Sequence, residues 1–517
     1  MKIKKVLIPN RGEIAVRICK AAKSLGIKSV VAVSELDKDT WFAKQADEIA
    51  VLGPASANKS YLCIDKIIEA AKEHDCDAVH PGYGFLSENA QFAKAVSDAG
   101  LIFIGPDHKA IEVLGNKLAA RAAMLEVGVP CTPGGKASSN EELVLLAQEI
   151  GFPVIVKAAA GGGGRGMRVA HTKEELEACL DTVSSEALKY FGSGEIYIER
   201  YFSTPRHVEV QVFGDTKGNI VHFGTRDCSV QRRHQKVIEE APAPDLSDDL
   251  RERIHSAAIK AAKAVNYVNA GTVELLVEND QFFFLEMNTR IQVEHPVTEE
   301  VHNVDLVALQ FKIANGEELP KQQEIKTVGH AFEFRVYAED AVAGFVPSTG
   351  SLTKVTLPET EGVRIDTGVQ AGDTISPFYD SMIAKVIVKG ATRKEVIEKS
   401  RSYLRSVEIE GVKSNITFFH WLLNQSDFTD TVVDIKYLER EFLDKLTDVA
   451  PMLEAHAVKD PLYKGGNLLE SYLYNDSKLT VLHRDDGVFV VSSEDGQISL
   501  SPCLATAIER VVEHTPK

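Results

Sequence analysis

Cysteine is scarce and dispersed in this 517-residue chain. Its seven cysteines, Cys19, Cys63, Cys76, Cys131, Cys179, Cys228 and Cys503, form no Cys-x-x-Cys pair. Neither a disulfide framework nor a zinc site is indicated, and a reducing cytoplasm is the expected setting. Long apolar runs are also missing, so no membrane-spanning segment is expected. The stretch 1–10 has too short an apolar part for a signal peptide and reads as a strand. Positive charge is in deficit: 58 Lys+Arg against 75 Asp+Glu give a net charge of −17. Nucleic acid needs a basic surface, so it is not an expected partner. The first turn, Asn10-Arg11-Gly12-Glu13, lacks Gly-x-Gly-x-x-Gly and so has no glycine nest for a dinucleotide pyrophosphate. The glycine run 161–166 is not followed by Gly-Lys-Ser/Thr, which excludes a P-loop.

What is present points to a multidomain globular protein. The length suits three or four domains, and 44% hydrophobic with 26% charged residues rules out disorder as the main state. A strand at 4–10, a helix to about residue 25 and a strand at 28–34 make a βαβ unit, and the alternation continues to about residue 105. An open parallel sheet is therefore expected. Residues 106–130 read as a helical linker holding Lys117. Residues 131–203 read as strand, glycine run, helix and acidic-ended strand. Long alternating strands with two helices follow to about 330, then a strand-and-helix block to 447. Turns at Asp486-Gly487 and Asp495-Gly496, set between β-prone runs, predict a small meander within 448–517.

The strongest chemical signal is Glu286-Met-Asn288-Thr-Arg290-Ile-Gln292-Val-Glu294. In an extended strand alternate side chains share a face, which would display carboxylate, amide, guanidinium, amide and carboxylate over roughly 26 Å. The bland alternative is an edge strand with a solvated face. If the preceding hairpin centres on Asp280, Glu274 faces Glu286. Like charges so opposed destabilise a sheet, and a divalent cation, Mg²⁺ or Mn²⁺, held by Glu274, Glu286 and Asn288 would remove that cost. The run Lys157-Ala-Ala-Ala-Gly161-Gly-Gly163-Gly164-Arg165-Gly166-Met167 reads as a hairpin whose backbone N–H groups close over phosphates. Five basic residues within 226–236 suit an anion. Arg206-His207-Val-Glu209-Val-Gln211 alternates more weakly, and His207 alone reads as a structural histidine. The stretch 80–89 has the glycine-rich turn and helix cap of a functional loop, while Glu333-Phe-Arg335 and Tyr379-Asp380-Ser381, taken singly, read as structural.

Together these stretches closely resemble biotin carboxylases of the ATP-grasp superfamily. The matching segments are 10–15, 80–89, 161–167, 226–244, 271–298 and 379–382, and the likeness runs from residue 1 to about 447. The resemblance implies an α/β protein with an α+β core. A Rossmann-like pre-ATP-grasp domain would cover 1–115. An ATP-grasp domain would cover 116–330, with a mobile lid at about 131–203. A biotin carboxylase C-terminal domain would cover 331–447, followed by a small β-rich extension at 448–517 of no assigned role. By the same resemblance Lys117, Lys157 and His234 contact ATP, with Glu199 near the adenine and Gly163, Gly164, Met167, Phe202, His207, Gln231 and Leu276 around the nucleotide. Glu274 and Glu286 hold the metal beside Asn288. Lys236, Arg290, Gln292 and Val293 cradle bicarbonate, and Glu294 is the base. Arg335 stabilises the biotin enolate, with Tyr83 near the ring.

The lid loop departs from the family pattern: Lys157-Ala-Ala-Ala stands where serine and a fifth glycine are usual. A Met-Lys-Met turn, where carrier lysines are biotinylated, is absent. The resemblance therefore implies a biotin carboxyl carrier protein in trans, a carboxyltransferase subunit on another chain, and a homodimer. The expected activity is an ATP-dependent ligase reaction carboxylating carrier-borne biotin, with an acetyl-CoA carboxylase favoured as the parent. Rival readings are the ATP-dependent subunit of a split pyruvate or propionyl-CoA carboxylase, another ATP-grasp ligase, or a silent ATP-binding regulator.

Overall fold

The structure is a computed structural model that describes residues 3–159, 167–233 and 235–446, together with four strands within 467–501. The N-terminal sheet is parallel, as expected. Its order is Glu48–Gly53, Lys28–Ser34, Lys5–Ile8, Ala78–Val79, Ile102–Phe103. Val6, Leu7, Ile8 and Val30–Val33 are fully buried, which fits a sheet covered on both faces. The helix Gly12–Ser24 follows the first strand. The predicted linker is two helices, His108–Gly115 and Lys117–Glu126, because Asn116 caps the second through Leu118 and Ala119 N–H.

The predicted lid is a four-stranded antiparallel sheet, ordered Gly134–Gly135, Ile196–Arg200, Val154–Ala158, Met167–Ala170. Its helix Asn140–Ile150 is an addition to the expected elements. Ser139 caps Glu142 N–H while Glu142 accepts from Ser138 N–H, so Ser139-Asn-Glu-Glu142 carried a legible helix start.

An eight-stranded antiparallel sheet forms the centre. Its order is Gln281–Asn288, Asn269–Glu278, Arg206–Gly214, Ile220–Arg232, Gln235–Ala241, His330–Tyr337, Met382–Gly390, Val363–Thr367. The sheet crosses the expected boundary at 331 without a break, so the core and C-terminal domains share it. Three helices rather than two lie between 204 and 330: Asp248–Ala264, His295–His302 and Leu306–Ala314. The third, Leu306–Ala314, has the weakest helical signature because its sequence is apolar nearly all round.

Strand alternation decides which face becomes the site. Val208, Val210, Val212, Val273, Leu275 and Val277 pack with Ala258, Ala261 and Ala262 of the helix Asp248–Ala264. Their alternates, His207, Glu209, Gln211, Thr272, Glu274 and Leu276, are left on the opposite face. The same logic holds further along. Phe332, Phe334, Val336, Ala384, Val386 and Val388 join the C-terminal core, leaving Glu333, Arg335 and Lys385 on the other face. Strands Asn467–Tyr474, Ser477–His483, Phe489–Ser493 and Ile498–Ser501 form the expected meander, with one strand more than predicted; the two Asp-Gly turns lie outside the described residues.

Candidate active site

Antiparallel partners project to the same side of a sheet. A single cross-strand row therefore runs Glu286, Glu274, Glu209, Arg226. The opposition of Glu274 and Glu286 is as expected, but it arises differently. The two-residue turn Asn279-Asp280, both at positive φ, pairs Glu278 with Gln281. A regular hairpin from that turn would set Leu285 against Glu274. An irregularity after Glu274 slides Glu286 into register instead.

The row is held together by cations. Lys236 Nζ lies 2.6 Å from Glu209 Oε2, 2.9 Å from Glu274 Oε1 and 2.6 Å from Glu294 Oε1. His207 Nε2 is 3.2 Å from Glu274 Oε2 and 3.5 Å from Glu209 Oε2. Arg226 is fully buried; it donates to Glu209, Gln211, Thr272, Thr298 and Gln292. Burial opposes the charge on Glu274, yet Lys236 and His207 hold it well below the usual carboxylate range. Burial likewise opposes Glu294, which Lys236 and Arg335 keep low. His207 is pushed the other way: burial works against its charge, but Glu274 raises it to about 9. His207 lines the cavity beside Glu274 and Glu209 rather than standing alone in a core.

The segment after Asn288 does not continue as a strand. It bends at Thr289 and Arg290 and enters the helix His295–His302 directly after Glu294. The bend is driven by burial: Thr289, Ile291, Gln292 and Glu294 are all buried, which excludes the solvated edge-strand reading. Folding back brings Asn288 Nδ2 and Gln292 Nε2 to the same oxygen, Glu274 Oε1, at 2.8 and 2.7 Å. Arg290 pairs with Glu88 at 3.1 Å and with Asn288 Oδ1 at 3.1 Å, which gives the 80–89 loop its role. Gly82 in that loop sits at φ 62 with Asn10 Nδ2 only 2.9 Å from where a Cβ would stand; that amide donates to the carbonyls of Pro81 and Tyr83.

The basic run 226–236 does not gather into one anion cluster. Arg226 is spent on Glu209, Arg232 on Glu339 and the Phe345 ring, and Arg233 is exposed at the turn. Only Lys236 of the described members lines the cavity. That cavity, about 750 Å³, spans all three main regions of the chain. Arg11, Glu13, Tyr83, His207, Lys236, Glu274, Glu286, Asn288, Arg290, Gln292, Val293, Glu294, Arg335 and Tyr379 line it. Arg335 Nη2 lies 2.9 Å from Glu294 Oε2 and also contacts Glu239.

A smaller crevice of about 40 Å³ opens between lid and core, lined by Lys117, Arg121, Cys131, Lys157, Tyr197, Glu199 and Glu286. Lys157 Nζ pairs with Glu199 Oε2 at 2.7 Å on the lid side, from the neighbouring strand. Phe202 stacks on Phe283, the register partner of Leu276, with ring centroids 4.9 Å apart. Met167 pairs with Lys157 at the lid hairpin, and Gln231 donates to the Cys228 carbonyl and meets His207 Nδ1 at 3.1 Å. Gly163, Gly164 and His234 lie outside the described residues. Glu209 and Glu239, which pair with Lys236 and Arg335, were not singled out from the sequence; for Glu209 the 206–211 alternation was the available signal.

The Glu286 side chain makes no hydrogen bond or ion pair with any described residue. Its carboxyl is pushed up by burial and then by Glu274. Lys117 offsets the field of Glu274 only in part, since the net shift is still upward; Glu274, Glu286 and Asn288 are therefore residues that would hold a divalent cation, which would supply neutralising positive charge there.

Three family models match in succession. They are Biotin carboxylase, N-terminal domain, over 2–111; Carbamoyl-phosphate synthase L chain, ATP binding domain, over 116–322; and Biotin carboxylase C-terminal domain over 333–440. A biotin carboxylase from Halalkalibacterium halodurans is 49% identical over 429 residues, covering 82% of this chain and 95% of that one. A pyruvate carboxylase subunit from Methanothermobacter thermautotrophicus is 47% identical over 427 residues, covering 82% and 87%. Among solved structures, the biotin carboxylase domain dimer of Hydrogenobacter thermophilus 2-oxoglutarate carboxylase, in complex with MgADP, ADP and bicarbonate, superposes with a TM-score of 0.81. It is 42% identical, over 86% of this chain and 99% of that one. The order of the matched domains, the extent of the identity and the shared fold lead to one conclusion: this chain belongs to the biotin carboxylase family of ATP-dependent ligases.

Proposed function

We propose that the chain carboxylates biotin presented on a separate carrier protein, as the first half-reaction of a biotin-dependent carboxylase of acetyl-CoA type. ATP and bicarbonate are consumed through carboxyphosphate. The observation that carries the reading is the arrangement of charge in the 750 Å³ cavity, where Lys236, Glu294 and Arg335 stand beside the Glu274–Glu286 pair.

Each side chain has a physical task. Lys236 and Arg290 draw in the bicarbonate anion, with Gln292 and the Val293 backbone beside them. Lys236 and Arg335 keep Glu294 ionised, so it stands ready to take the bicarbonate proton. The resulting oxyanion attacks the γ-phosphorus, ADP leaves, and carboxyphosphate forms; it breaks into CO₂ and phosphate, the phosphate takes the N1′ proton of biotin, and the N1′ so freed captures the CO₂. Phosphoryl transfer of this kind depends on positioning and charge neutralisation rather than on covalent help from the protein. A divalent cation at Glu274 and Glu286, Mg²⁺ or Mn²⁺, would supply neutralising charge to the phosphates. Arg335 lies where a guanidinium can balance the biotin enolate oxygen, with Tyr83 on the same cavity wall. Lys117, Lys157 and Glu199 line the crevice where the nucleotide base end would enter.

A carrier and a carboxyltransferase on other chains, and a homodimer, complete the proposed assembly. Relatives named for pyruvate and 2-oxoglutarate carboxylases keep a second parent open, because the carboxyl acceptor does not meet this site.

The test is phosphate release from Mg·ATP, with and without bicarbonate and with free biotin or biotinylated carrier. Release that requires bicarbonate and rises with biotin is expected. Release indifferent to every form of biotin would indicate another carboxyphosphate-forming ligase. Nucleotide binding without turnover would indicate a silent regulator.

A further inference from the structure

Lys385 is fully buried, and nothing in the proposed reaction uses it. An ammonium taken out of water is costly unless it is paired and hydrogen-bonded. Its partners come from three regions of the chain. Nζ donates to the Val293 carbonyl at 2.8 Å and lies 3.2 Å from Glu13 Oε2. In the sheet, Lys385 is the register partner of both Arg335 and Asp366, so the three side chains share a face. Glu13, in the first turn of the helix Gly12–Ser24, in turn accepts the Tyr83 phenol.

These contacts reach both halves of the cavity. Val293 stands between Gln292 and Glu294. A trans peptide is planar, so fixing the Val293 carbonyl also fixes the backbone N–H of Glu294 and aims its Cα. Glu294 is the carboxylate that meets Lys236 and Arg335. On the other side, Glu13 sets the phenol of Tyr83. One ammonium therefore spaces the bicarbonate-facing turn from the biotin-facing tyrosine.

Charge compensation alone does not explain the lysine. Asp366 already has a bidentate partner in Arg364, at 3.0 and 2.7 Å. Burial pushes the Glu13 carboxyl up to about 7 even beside Lys385, and burial raises Glu333 well above the ordinary range. Both acids have a neutral form available without a cation. What only Lys385 supplies is a donor aimed at the Val293 carbonyl.

We propose that Lys385 is a positioning residue for biotin carboxylation, holding the Val293 peptide and, through Glu13, Tyr83 at a set separation across the cavity. This rests on the carboxylation reading of the same cavity.

The experiment compares wild type, Lys385→Met, Glu13→Gln and the double variant Glu13→Gln/Lys385→Met. Mg·ADP binding is measured by equilibrium titration, and bicarbonate-dependent phosphate release with free biotin is measured across bicarbonate concentration. Thermal midpoints are recorded for each protein. Lys385→Met is expected to bind Mg·ADP like wild type while kcat/KM for bicarbonate falls by about 10²-fold, the scale of an ångström-level misplacement. The double variant removes the buried carboxylate together with its cation, and Gln keeps an acceptor for Tyr83. It is expected to regain the thermal midpoint of Glu13→Gln but not its turnover. Recovery of turnover together with the midpoint would reduce Lys385 to charge balance and overturn the proposal. Wild-type-like kcat/KM in Lys385→Met would do the same. If Lys385→Met fails to fold, the double variant decides against Glu13→Gln alone. Wild type without bicarbonate-dependent release would bring down the carboxylation reading and this inference with it, whereas active wild type with indifferent variants would bring down only the inference.

Discussion

Replacing Glu286 by glutamine should make the metal-free protein more stable while disabling it. Glu274 and Glu286 are direct cross-strand partners, which puts their Cβ atoms about 5 Å apart. Two unit charges at that spacing repel by about 3 kcal/mol at an effective dielectric of about 20. Lys236 at 2.9 Å and His207 at 3.2 Å cancel most of the field of Glu274. The residual cost is then about 1 kcal/mol, the upper end for opposed like charges on a sheet. Burial adds to it in the same direction, since it too raises the Glu286 carboxyl. Glu286→Gln removes the charge without changing the shape. In EDTA its thermal midpoint should rise by about 1 °C, the shift that about 1 kcal/mol gives in a chain of 517 residues. Saturating Mg·ADP should stabilise wild type by about 2.7 kcal/mol at a hundredfold excess over Kd, and Glu286→Gln by clearly less. Bicarbonate-dependent phosphate release should fall by about 10²-fold or more. The measurement is differential scanning fluorimetry in EDTA and in Mg·ADP, paired with the phosphate assay. A lower midpoint in EDTA, or a Mg·ADP shift equal to that of wild type, would refute the assignment of Glu286 as an unpaired carboxylate awaiting a metal.

Arg226→Met should destabilise the core by about 3–5 kcal/mol in urea denaturation, because it leaves Glu209 with only part of its counter-charge and strips a donor from Gln292. Equal stability of Arg226→Met and wild type would mean that the buried guanidinium is balanced by its own desolvation cost. The stacked pair His222 and His255, 3.9 Å between centroids, should set part of the acid limb of stability. Burial lowers His222 to about 4 and His255 to about 3, with His302 facing both and Arg251 facing His255. Folded-state values below the unfolded 6.5 mean the folded protein takes up protons last. Stability is then intact above about pH 6.5 and lost as pH falls toward 4. His255→Phe should flatten the thermal midpoint across that window; an unchanged acid limb would place the sensitivity elsewhere.

Much of this protein is legible in its sequence where local pattern and tertiary context agree. The βαβ opening could be read because Val6–Ile8 and Val30–Val33 are continuous apolar runs, and a strand buried on both faces needs no more specification than that. The weak alternation in 206–211 and the opposition of Glu274 to Glu286 were likewise legible, since period two is a property of the strand itself. Reading failed at 289–294. The alternation there imitates a strand, but the polar residues are buried and the chain bends to satisfy them against Glu274 and Glu88. The expectation of two helices between 204 and 330 fell one short, and Leu306–Ala314 is the hardest of the three to read because its apolar residues show no polar stripe to mark a period.

Sequence by itself determined the residue types, the opening βαβ pattern and the family resemblance from which Lys236, Glu274, Glu286, Arg290, Glu294 and Arg335 are expected to share one reaction. It could not determine partnership. That Lys236 bridges three carboxylates, that an irregularity rather than a simple turn sets Glu286 against Glu274, and that Lys385 reaches Val293 across 92 positions were decided by the tertiary fold. The physical reason is that these contacts stabilise only in a buried sheet. There an unpaired charge is costly, so the choice of partner depends on which distant strands come to lie side by side, and no local propensity encodes that choice.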